Sequence, residues 1–155
     1  MTMNSSRGYT LLEVLVVLFI ISLISAVSTP NFLTWLQSYR LQAAAASLSN
    51  HLQSTRLLAI LKGTPHEMQV RPATKGNYYQ IVEDPKGEDR LVATIGRVIL
   101  DKEFRGVVIS STTSKALMFT PRGTAKSGNI QLRNSRGETI KITISQYGRV
   151  KSEYL

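Results

Sequence analysis

One carboxylate stands at the start of a long stretch that carries no charge. Glu13 is followed by a segment, Val14 to Tyr39, without any acidic or basic residue, and the first half of that segment is mostly Val, Leu, Ile and Phe. Such a segment is typical of a helix buried in lipid or protein, and a charge at the centre of a bilayer costs about 2.5 to 3.5 kcal/mol on insertion scales. Glu13 therefore requires a compensating partner.

The residues before this stretch resemble a specific export signal. A short polar leader ends at Arg7-Gly8, and Tyr9 and then Glu13 follow at close spacing. This pattern resembles the class III signal of type IV pilins and pseudopilins, which usually have Phe where this chain has Tyr9. The resemblance implies that a prepilin peptidase cuts between Gly8 and Tyr9 and methylates the new N-terminal amine of Tyr9.

Two simpler interpretations of the N-terminus remain open. An ordinary secretory signal has a basic start, an apolar core and a small-residue cleavage site. The best such site here, near Ser25 to Ser28, is poor, and Glu13 interrupts the core. A plain membrane anchor also fits, because residues 9–29 supply about the 20 residues that a spanning helix needs. The pilin-type signal is favoured because Gly8, Glu13 and the apolar run occur together.

The resemblance also implies a role for Glu13. In an assembled pilus, the corresponding Glu is thought to neutralise the freed N-terminal amine of a neighbouring subunit. Opposite charges attract strongly in a low dielectric, and either charge alone is heavily penalised there. Glu13 is therefore expected to favour assembly with other pilins. The implied location is the inner membrane, crossed once, with the head domain in the periplasm and the chain assembled into a pilus or pseudopilus.

Four segments are predicted along the chain. Residues 1–8 form the leader, 9–29 a transmembrane or filament helix, 30–63 an amphipathic helix, and 64–155 a β-rich head with a basic C-terminal segment. Pro30 is expected to kink or loosen the helix. The predicted fold class is α+β, and the resemblance implies a type IV pilin fold, in which a long N-terminal helix packs on an antiparallel sheet.

The amphipathic helix is predicted from Leu33 to Lys62. Apolar and small residues recur there every three or four positions, which places them on one face. Gly63 and Pro65 follow as a stop signal. The residues predicted to face the head are Leu41, Ala45, Leu48, Leu52, Thr55 and Ala59.

After Pro65, short runs rich in Val, Ile, Tyr and Thr alternate at period two, which is typical of strands. Turn signals separate them at Lys75–Asn77, Asp84–Gly87, Asn134–Gly137 and Tyr147–Gly148. The predicted strands are Glu67–Arg71, Tyr78–Val82, Leu91–Ile95, Val98–Leu100, Val107–Ser111, Ala116–Phe119, Asn129–Leu132, Thr139–Ile144 and Arg149–Tyr154.

The segment from Leu117 to Lys151 is similar to the C-terminal region of the FimT/GspH family of minor pilins and pseudopilins. The similarity rests on the runs Met118–Gly123, Gly128–Leu132, Ile142–Ile144 and Gly148-Arg149-Val150-Lys151. In the FimT branch, a Gly-Arg-x-Arg motif at this place is implicated in DNA binding. Here the last position is Lys, which keeps the charge but lacks the planar fork of Arg.

Positive charge is concentrated at the C-terminal end. The chain has a net charge of +9, and the segment 104–155 alone has nine basic and two acidic residues, a net charge of +7. Residues 63–103 have a net charge of −1. This asymmetry indicates an anionic partner such as nucleic acid, lipid headgroups or an acidic protein. The cations could instead only solubilise exposed strands, and the charge by itself leaves both interpretations open.

The residue pattern supports the DNA-binding interpretation of the C-terminal motif. Gly148 permits a tight turn, and Arg149 and Lys151 are expected to share one face of a strand. Because phosphate contacts carry no sequence information, the expected ligand is double-stranded DNA of any sequence. Tyr147 and Tyr154 flank the motif, and packing of both rings on the core is favoured over stacking on bases. The predicted DNA-binding residues are Gly148, Arg149, Lys151, Arg133 and Arg136.

No catalytic or metal chemistry is predicted. The chain has no cysteine, which excludes thiol nucleophiles, thiolate metal sites and disulfides. His51 and His66 lack further ligands at metal-binding spacing and are predicted to be surface or packing residues. Residues 123–127 lack the first Gly and the following helix of a phosphate loop, so they are predicted to form a turn with a solvated Lys126. Neither enzyme activity nor a cofactor is expected.

Two functions remain open. A DNA-binding minor pilin would support DNA uptake in natural transformation through a type IV pilus. A GspH-type pseudopilin would be a structural subunit of a type II secretion filament, or of pilus assembly, without a role in DNA binding. The positive charge of the C-terminal third favours the first.

Overall fold

A computed structural model describes residues 9–83, 90–91 and 96–155, and the side chains of residues 27–31 and 90–91 lie outside this description. The predicted leader therefore falls outside the described residues. Along the remainder, the chain divides into two compact units between Leu36 and Gln37. The predicted segment boundaries differ from this division and stay predictions.

Helix α1 runs from Leu11 to Lys62, so the predicted amphipathic helix is the second part of a longer one. Its backbone is helical at Pro30, and a kink at this residue stays a prediction. The stop signal is confirmed, because α1 ends at Lys62 and Gly63 takes the left-handed conformation, with φ of +66°. All six residues predicted to face the head are buried: Leu41, Ala45, Leu48, Leu52, Thr55 and Ala59.

The N-terminal unit contains the start of α1, which Thr10 caps. Thr10 Oγ1 accepts a hydrogen bond from the backbone N–H of Glu13 at 3.2 Å, the usual geometry of a helix N-cap. Glu13 lies in the first turn, where the helix dipole favours a negative charge. Apolar side chains along this unit are exposed, among them Phe19 at 64% and Trp35 at 56%.

Within the described residues, no helix has the length and apolarity that a membrane crossing requires.

The described strands after α1 form two antiparallel sheets, where the sequence predicted one. The strands are β1 His66–Arg71, β2 Tyr78–Glu83, β3 Arg90–Leu91, β4 Arg97–Ile99, β5 Val107–Thr112, β6 Ala116–Phe119, β7 Gly128–Asn134, β8 Thr139–Ile144 and β9 Val150–Tyr154. The first sheet has the order β3-β2-β1-β6, with β4 also paired to β2, and the second has the order β5-β7-β8-β9. A four-residue helix, α2 (Leu100–Glu103), connects β4 to β5.

Most strand predictions are confirmed to within one or two residues. Leu100 was expected to end a strand but begins α2. Arg149 was expected to begin the last strand, but β9 starts one residue later and Arg149 lies in the preceding loop. Of the strand predicted over 91–95, only Leu91 falls in a described strand. Residues 92–95 and the turn predicted over 84–87 lie outside the described residues.

The buried side chain of Asn77 connects the two sheets. Asn77 precedes β2 of the first sheet, and its Nδ2 donates a hydrogen bond to the C=O of Val107 in β5 at 3.1 Å. The N–H of Ile109, also in β5, donates to Asn77 Oδ1 at 2.9 Å. Asn77 has a φ of +51°, a conformation that Asn tolerates better than most residues. Apolar side chains from α1 and from both sheets form one core cluster.

Candidate nucleic-acid interface

The loop between β8 and β9 is closed by hydrogen bonds at both of its ends. The N–H of Ser145 donates to the C=O of Arg149, and the N–H of Gly148 donates to the C=O of Ser145, both at 2.9 Å. Gly148 has a φ of +71°, which confirms the predicted tight turn. The loop thus presents Arg149, whose side chain is exposed, at a defined position at the end of the sheet.

Gly148 lies directly against two other parts of the chain. A Cβ atom at this residue would come 2.4 Å from the carbonyl oxygen of Gly123 and 2.7 Å from Nε of Arg56. Gly123 belongs to the turn that follows β6, and Arg56 belongs to α1. Arg56 Nε donates a hydrogen bond to the same Gly123 oxygen at 2.9 Å. Arg56 therefore holds together the two turns on which the site depends.

Two arginines line one cleft at this place: Arg56 on α1 and Arg149 in the loop before β9. We call these two residues the basic cluster. Arg56 and Arg149 line a cleft of about 630 Å³ together with polar and apolar residues of α1, and in the described part of the chain no acidic residue lines it. Its other lining residues are Asn50, Gln53, Ser54, Leu57, Ile60, Gly148 and Val150.

Sequence reasoning did not select Arg56 as a site residue. The sequence nevertheless contains an indication of the role of Arg56. This cation follows Thr55 and lies four residues after Leu52, and Thr55 and Leu52 are both on the predicted buried face of the helix. A cation at the border of a buried face needs a hydrogen-bond acceptor. Its acceptor, the carbonyl oxygen of Gly123, lies 67 residues further along the chain, and no local pattern identifies it.

Lys151 differs from Arg149 in its surroundings. It lies in β9 and forms an ion pair with Glu153, and both side chains are exposed. The hydrogen bond from Lys151 to Glu153, followed by the positive charge of Lys151, holds the pKa of Glu153 below its usual value. The positive charge of Lys151 is therefore partly balanced within the chain. The shared face of Arg149 and Lys151 was expected because both were predicted to lie in one strand. Arg149 lies outside β9, so this premise is wrong for Arg149, and the shared face stays a prediction.

Arg133 and Arg136 lie at the other end of the second sheet. Arg133 of β7 pairs with Thr139, the first residue of β8, whereas the Gly148 loop follows the last residue of β8. The six residues of β8 separate the two ends by about 20 Å. Both arginines are exposed, but the structure does not bring them together with Arg149, and their contribution to DNA binding stays a prediction.

The turn that carries Arg136 is held by the carboxylate of Glu138. Its Oε2 accepts hydrogen bonds from Ser38 Oγ of α1 and from Asn134 Nδ2, both at 2.7 Å. The hydrogen bond from Ser38, and then that from Asn134, lowers the pKa of Glu138 below its usual value. This turn is thus attached to α1 at a place different from the basic cluster.

The two tyrosines beside the motif are exposed, so the expectation that their rings pack on the core is wrong. Tyr147, immediately before Gly148, has 81% of its surface exposed, and Tyr154 at the end of β9 has 59%. An exposed aromatic ring two residues from an exposed arginine gives a surface on which a base can stack.

The two histidines are packing residues, as predicted. His51 Nδ1 lies 2.8 Å from the hydroxyl of Tyr79, burial lowers the pKa of His51, and burial raises the pKa of Tyr79 to about 12. His66 is fully buried. Among the described residues, no cluster of three His, Cys, Asp or Glu side chains is arranged to hold a metal ion. The turn lies earlier than the predicted 123–127, at residues 120–123, where the N–H of Gly123 donates to the C=O of Thr120 at 2.9 Å, and Lys126 is exposed as expected.

Comparison with known proteins assigns this architecture to a family. The family model of type II transport protein GspH matches residues 44–148. The chain belongs to the GspH family of type IV minor pilins and pseudopilins. A second model, the prokaryotic N-terminal methylation motif, matches residues 3–29. Both family resemblances seen in the sequence are thereby confirmed, as is the pilin fold.

This GspH-family chain is similar in sequence to a pilin-like protein and similar in fold to a secretion pseudopilin and a minor pilin. It is 34% identical to the pilin-like protein PilA1 of Thermus thermophilus, over 95% of this chain and 98% of the relative. Its fold is similar to that of the minor pseudopilin EpsH of Vibrio cholerae, with a TM-score of 0.61 and 11% identity over 74% of this chain and 97% of the other. It is also similar to the type IV minor pilin FimU of Pseudomonas aeruginosa, with a TM-score of 0.58 and 21% identity over 77% and 92% of the two chains.

Proposed function

We propose that this minor pilin binds double-stranded DNA without sequence preference and supports DNA uptake in natural transformation through a type IV pilus. The observation that carries the proposal is the position of Arg149. Its side chain is exposed in a loop whose preceding glycine packs against Arg56 and Gly123. A cation on a rigid loop loses little conformational freedom when it contacts a phosphate.

Charge and aromatic character around the loop support the same proposal. Arg56 and Arg149 line one cleft, and no acidic side chain among the described residues lines it. A phosphate in the cleft would therefore be attracted by the two arginines without repulsion from a lining carboxylate. Exposed Tyr147 adds a ring beside the cations. Lysine and arginine contacts to phosphate release counterions, which makes such binding dependent on salt and independent of sequence.

Arg149→Gln tests the proposal directly. We expect the mature full-length chain in detergent micelles to bind a labelled duplex weakly, and the substitution to weaken binding about tenfold, as for loss of one charge-assisted contact. The slope of log affinity against log salt should fall by about one. Fluorescence anisotropy at several salt concentrations measures both quantities, and transformation frequency measures the consequence in cells.

Two matched variants serve as controls. Arg136→Gln removes the same charge from an exposed turn at the opposite end of the sheet and should change affinity less. Lys151→Gln should also cost less than Arg149→Gln, because Lys151 already pairs with Glu153. If the wild-type chain shows no salt-dependent binding, or if all three variants behave alike, the basic cluster is not a DNA site.

The alternative function is that of a secretion pseudopilin or a pilus-assembly subunit without DNA binding. The observation that favours it is the Lys151–Glu153 pair, which balances one of the two cations of the motif. On this alternative, the basic cluster fixes the two turns to α1 and needs no ligand. Loss of secretion with normal transformation in a strain lacking the chain would favour this function over DNA uptake.

We further propose that the chain matures and assembles as its signal implies. Prepilin peptidase would cut after Gly8 and methylate Tyr9, and the segment 9–29 would lie in the inner membrane, with the head in the periplasm, until the subunit enters a filament of other pilins. The exposed apolar side chains of the N-terminal unit support this proposal, because they need lipid or a neighbouring subunit to cover them.

Glu13→Ala separates processing from assembly. We expect the variant to be cut normally, leaving N-methyl-Tyr9, but to enter filaments poorly because the amine of a neighbour loses its carboxylate partner. Mass spectrometry of the mature N-terminus measures the first property, and the amount of chain in sheared pili measures the second. Normal incorporation would contradict the pairing role of Glu13, and a mature chain beginning at Ser28 would contradict the pilin-type signal.

A further inference from the structure

The cleft that the basic cluster lines also has an apolar side. Leu57 and Ile60 of α1 are exposed and line it, and the partly buried Val150 of β9 lines it as well. Contact with these side chains does not favour a phosphate, because a phosphate is charged and strongly hydrated. Apolar side chains gathered in one cleft beside two cations therefore indicate a ligand that has an apolar part next to its negative charge.

Three further side chains of α1 bring hydrogen-bonding groups to the same cleft. They are Asn50, Gln53 and Ser54, and the two amides are exposed. An amide side chain carries both donors and acceptors, and a hydroxyl also does both. The edge of a nucleobase presents donors and acceptors as well. This part of the cleft is therefore suited to hydrogen bonds with a base, whichever base it is.

The cleft is larger than a phosphate requires. Its volume of about 630 Å³ lies within the range of about 300–1,000 Å³ that is usual for sites of small molecules. The bond from Arg56 to the C=O of Gly123 uses Nε alone, and a guanidinium has five N–H donors, so Arg56 retains donors for an anion. A nucleotide combines an anion with a flat ring of low polarity and hydrogen-bonding edges, and it matches all of these properties.

We propose that this cleft binds an unpaired nucleotide of DNA, with the phosphate on the basic cluster and the base on the apolar side chains of the cleft. This inference rests on the proposed function and names the part of the DNA that the site takes. In a closed duplex the bases are stacked and paired, and moving one out of the stack costs free energy. An unpaired base at a duplex end enters the cleft without that cost. Because every base has a flat face, no sequence preference is expected.

Three labelled DNAs with the same duplex test the proposal on the mature full-length chain in detergent micelles. The first is closed at both ends by non-nucleotide linkers, the second carries a short tail of abasic nucleotides, and the third carries a thymidine tail of the same length. The two tails have equal numbers of phosphates and differ only in their bases. We expect the thymidine tail to bind about fivefold more tightly than the abasic tail by fluorescence anisotropy, the low end for a base stacked on a protein. This ratio should not change with salt, because counterion release is equal for the two tails.

Two leucines of α1 provide a matched pair of variants. Leu57 lines the cleft and is 55% exposed, whereas Leu61, one turn later, is 72% exposed and is not among the lining residues. Leu57→Ser should remove most of the difference between the thymidine and abasic tails, and Leu61→Ser should retain it. Both substitutions fall at exposed positions, where effects on stability are usually small. Arg149→Gln should weaken binding of all three DNAs.

Photo-cross-linking measures the position of the base without reference to affinity. A thiothymidine in the tail forms a covalent bond under long-wavelength ultraviolet light with side chains that contact the base. Tryptic peptides 41–56 and 57–62 contain the α1 side of the cleft, and peptide 142–149 contains the loop with Tyr147. We expect mass spectrometry to find the cross-link in one of the two α1 peptides. A cross-link confined to peptide 142–149 would place the base on the loop and contradict the proposal.

The binding experiments separate this proposal from the proposed function. Equal affinity for the two tails, with salt-dependent binding of the closed duplex, would exclude the nucleotide site and leave duplex binding intact. Tighter binding of the thymidine tail without measurable binding of the closed duplex would support the nucleotide site and contradict duplex binding. If none of the three DNAs binds, both proposals are wrong. A Leu57→Ser chain that keeps the difference between the tails but enters sheared pili poorly would mean that a neighbouring subunit covers the cleft.

Discussion

Gly148→Ala is expected to lower the free energy of unfolding by about 2–5 kcal/mol and to weaken DNA binding. Two costs add at this residue. A residue with a Cβ is penalised by about 1–2 kcal/mol in the left-handed region, and the Cβ itself would lie 2.4 Å from the carbonyl oxygen of Gly123, an overpacking that costs about 1–3 kcal/mol. Pulse proteolysis of the mature chain in urea measures the first effect, and fluorescence anisotropy measures the second.

Gly137→Ala is a control that carries only the first of these costs. Gly137 has a φ of +90°, and nothing lies within 4 Å of an added Cβ. This variant should lose about 1–2 kcal/mol and retain the affinity for DNA, since its turn is remote from Arg149. Equal destabilisation by the two variants would mean that the contact between Gly148 and Gly123 does not matter.

The second large effect is expected at the side chain that connects the two sheets. Asn77→Ala removes both hydrogen bonds to β5 and leaves the C=O of Val107 and the N–H of Ile109 without their partner. Each buried polar group left unsatisfied costs about 1–3 kcal/mol, and Ala adds the left-handed penalty that Asn partly avoids. We expect a loss of about 3–5 kcal/mol in the free energy of unfolding, measured by the same proteolysis in urea.

Asn77→Gly separates the hydrogen bonds from the backbone conformation. Glycine adopts a φ of +51° without strain, so this variant should recover about 1 kcal/mol relative to alanine and no more. If Asn77→Ala unfolds at the same urea concentration as the wild type, the connection between the sheets does not limit stability.

Periodicity predicted the elements of this fold well because most of them bury one regular face. The face of α1 from Leu41 to Ala59 is buried as expected, and the strands follow the period-two pattern closely. The division into two sheets was missed. The arrangement of the two sheets depends on contacts between residues far apart in the sequence, such as that of Asn77 with Val107, 30 residues apart. The alternation within a strand carries no information about such contacts.

The motif at Gly148 was only partly predictable for the same reason. A glycine before an arginine indicates a turn, and the turn is present. The role of Arg56 and the exposure of Tyr147 depend on how the loop between β8 and β9 packs against α1 and against the turn at Gly123. The ion pair between Lys151 and Glu153 follows from the sequence, because residues two apart in a strand lie on one face.

The capped start of α1 bears on what maturation would change. Thr10 supplies the cap, and this residue would remain in the chain after cleavage behind Gly8. The new ammonium at Tyr9 would instead stand near the positive end of its own helix dipole, where a cation is disfavoured. We expect processing to alter the charge of the N-terminus while leaving its fold unchanged, and thereby to give the subunit a cation that its own helix does not favour.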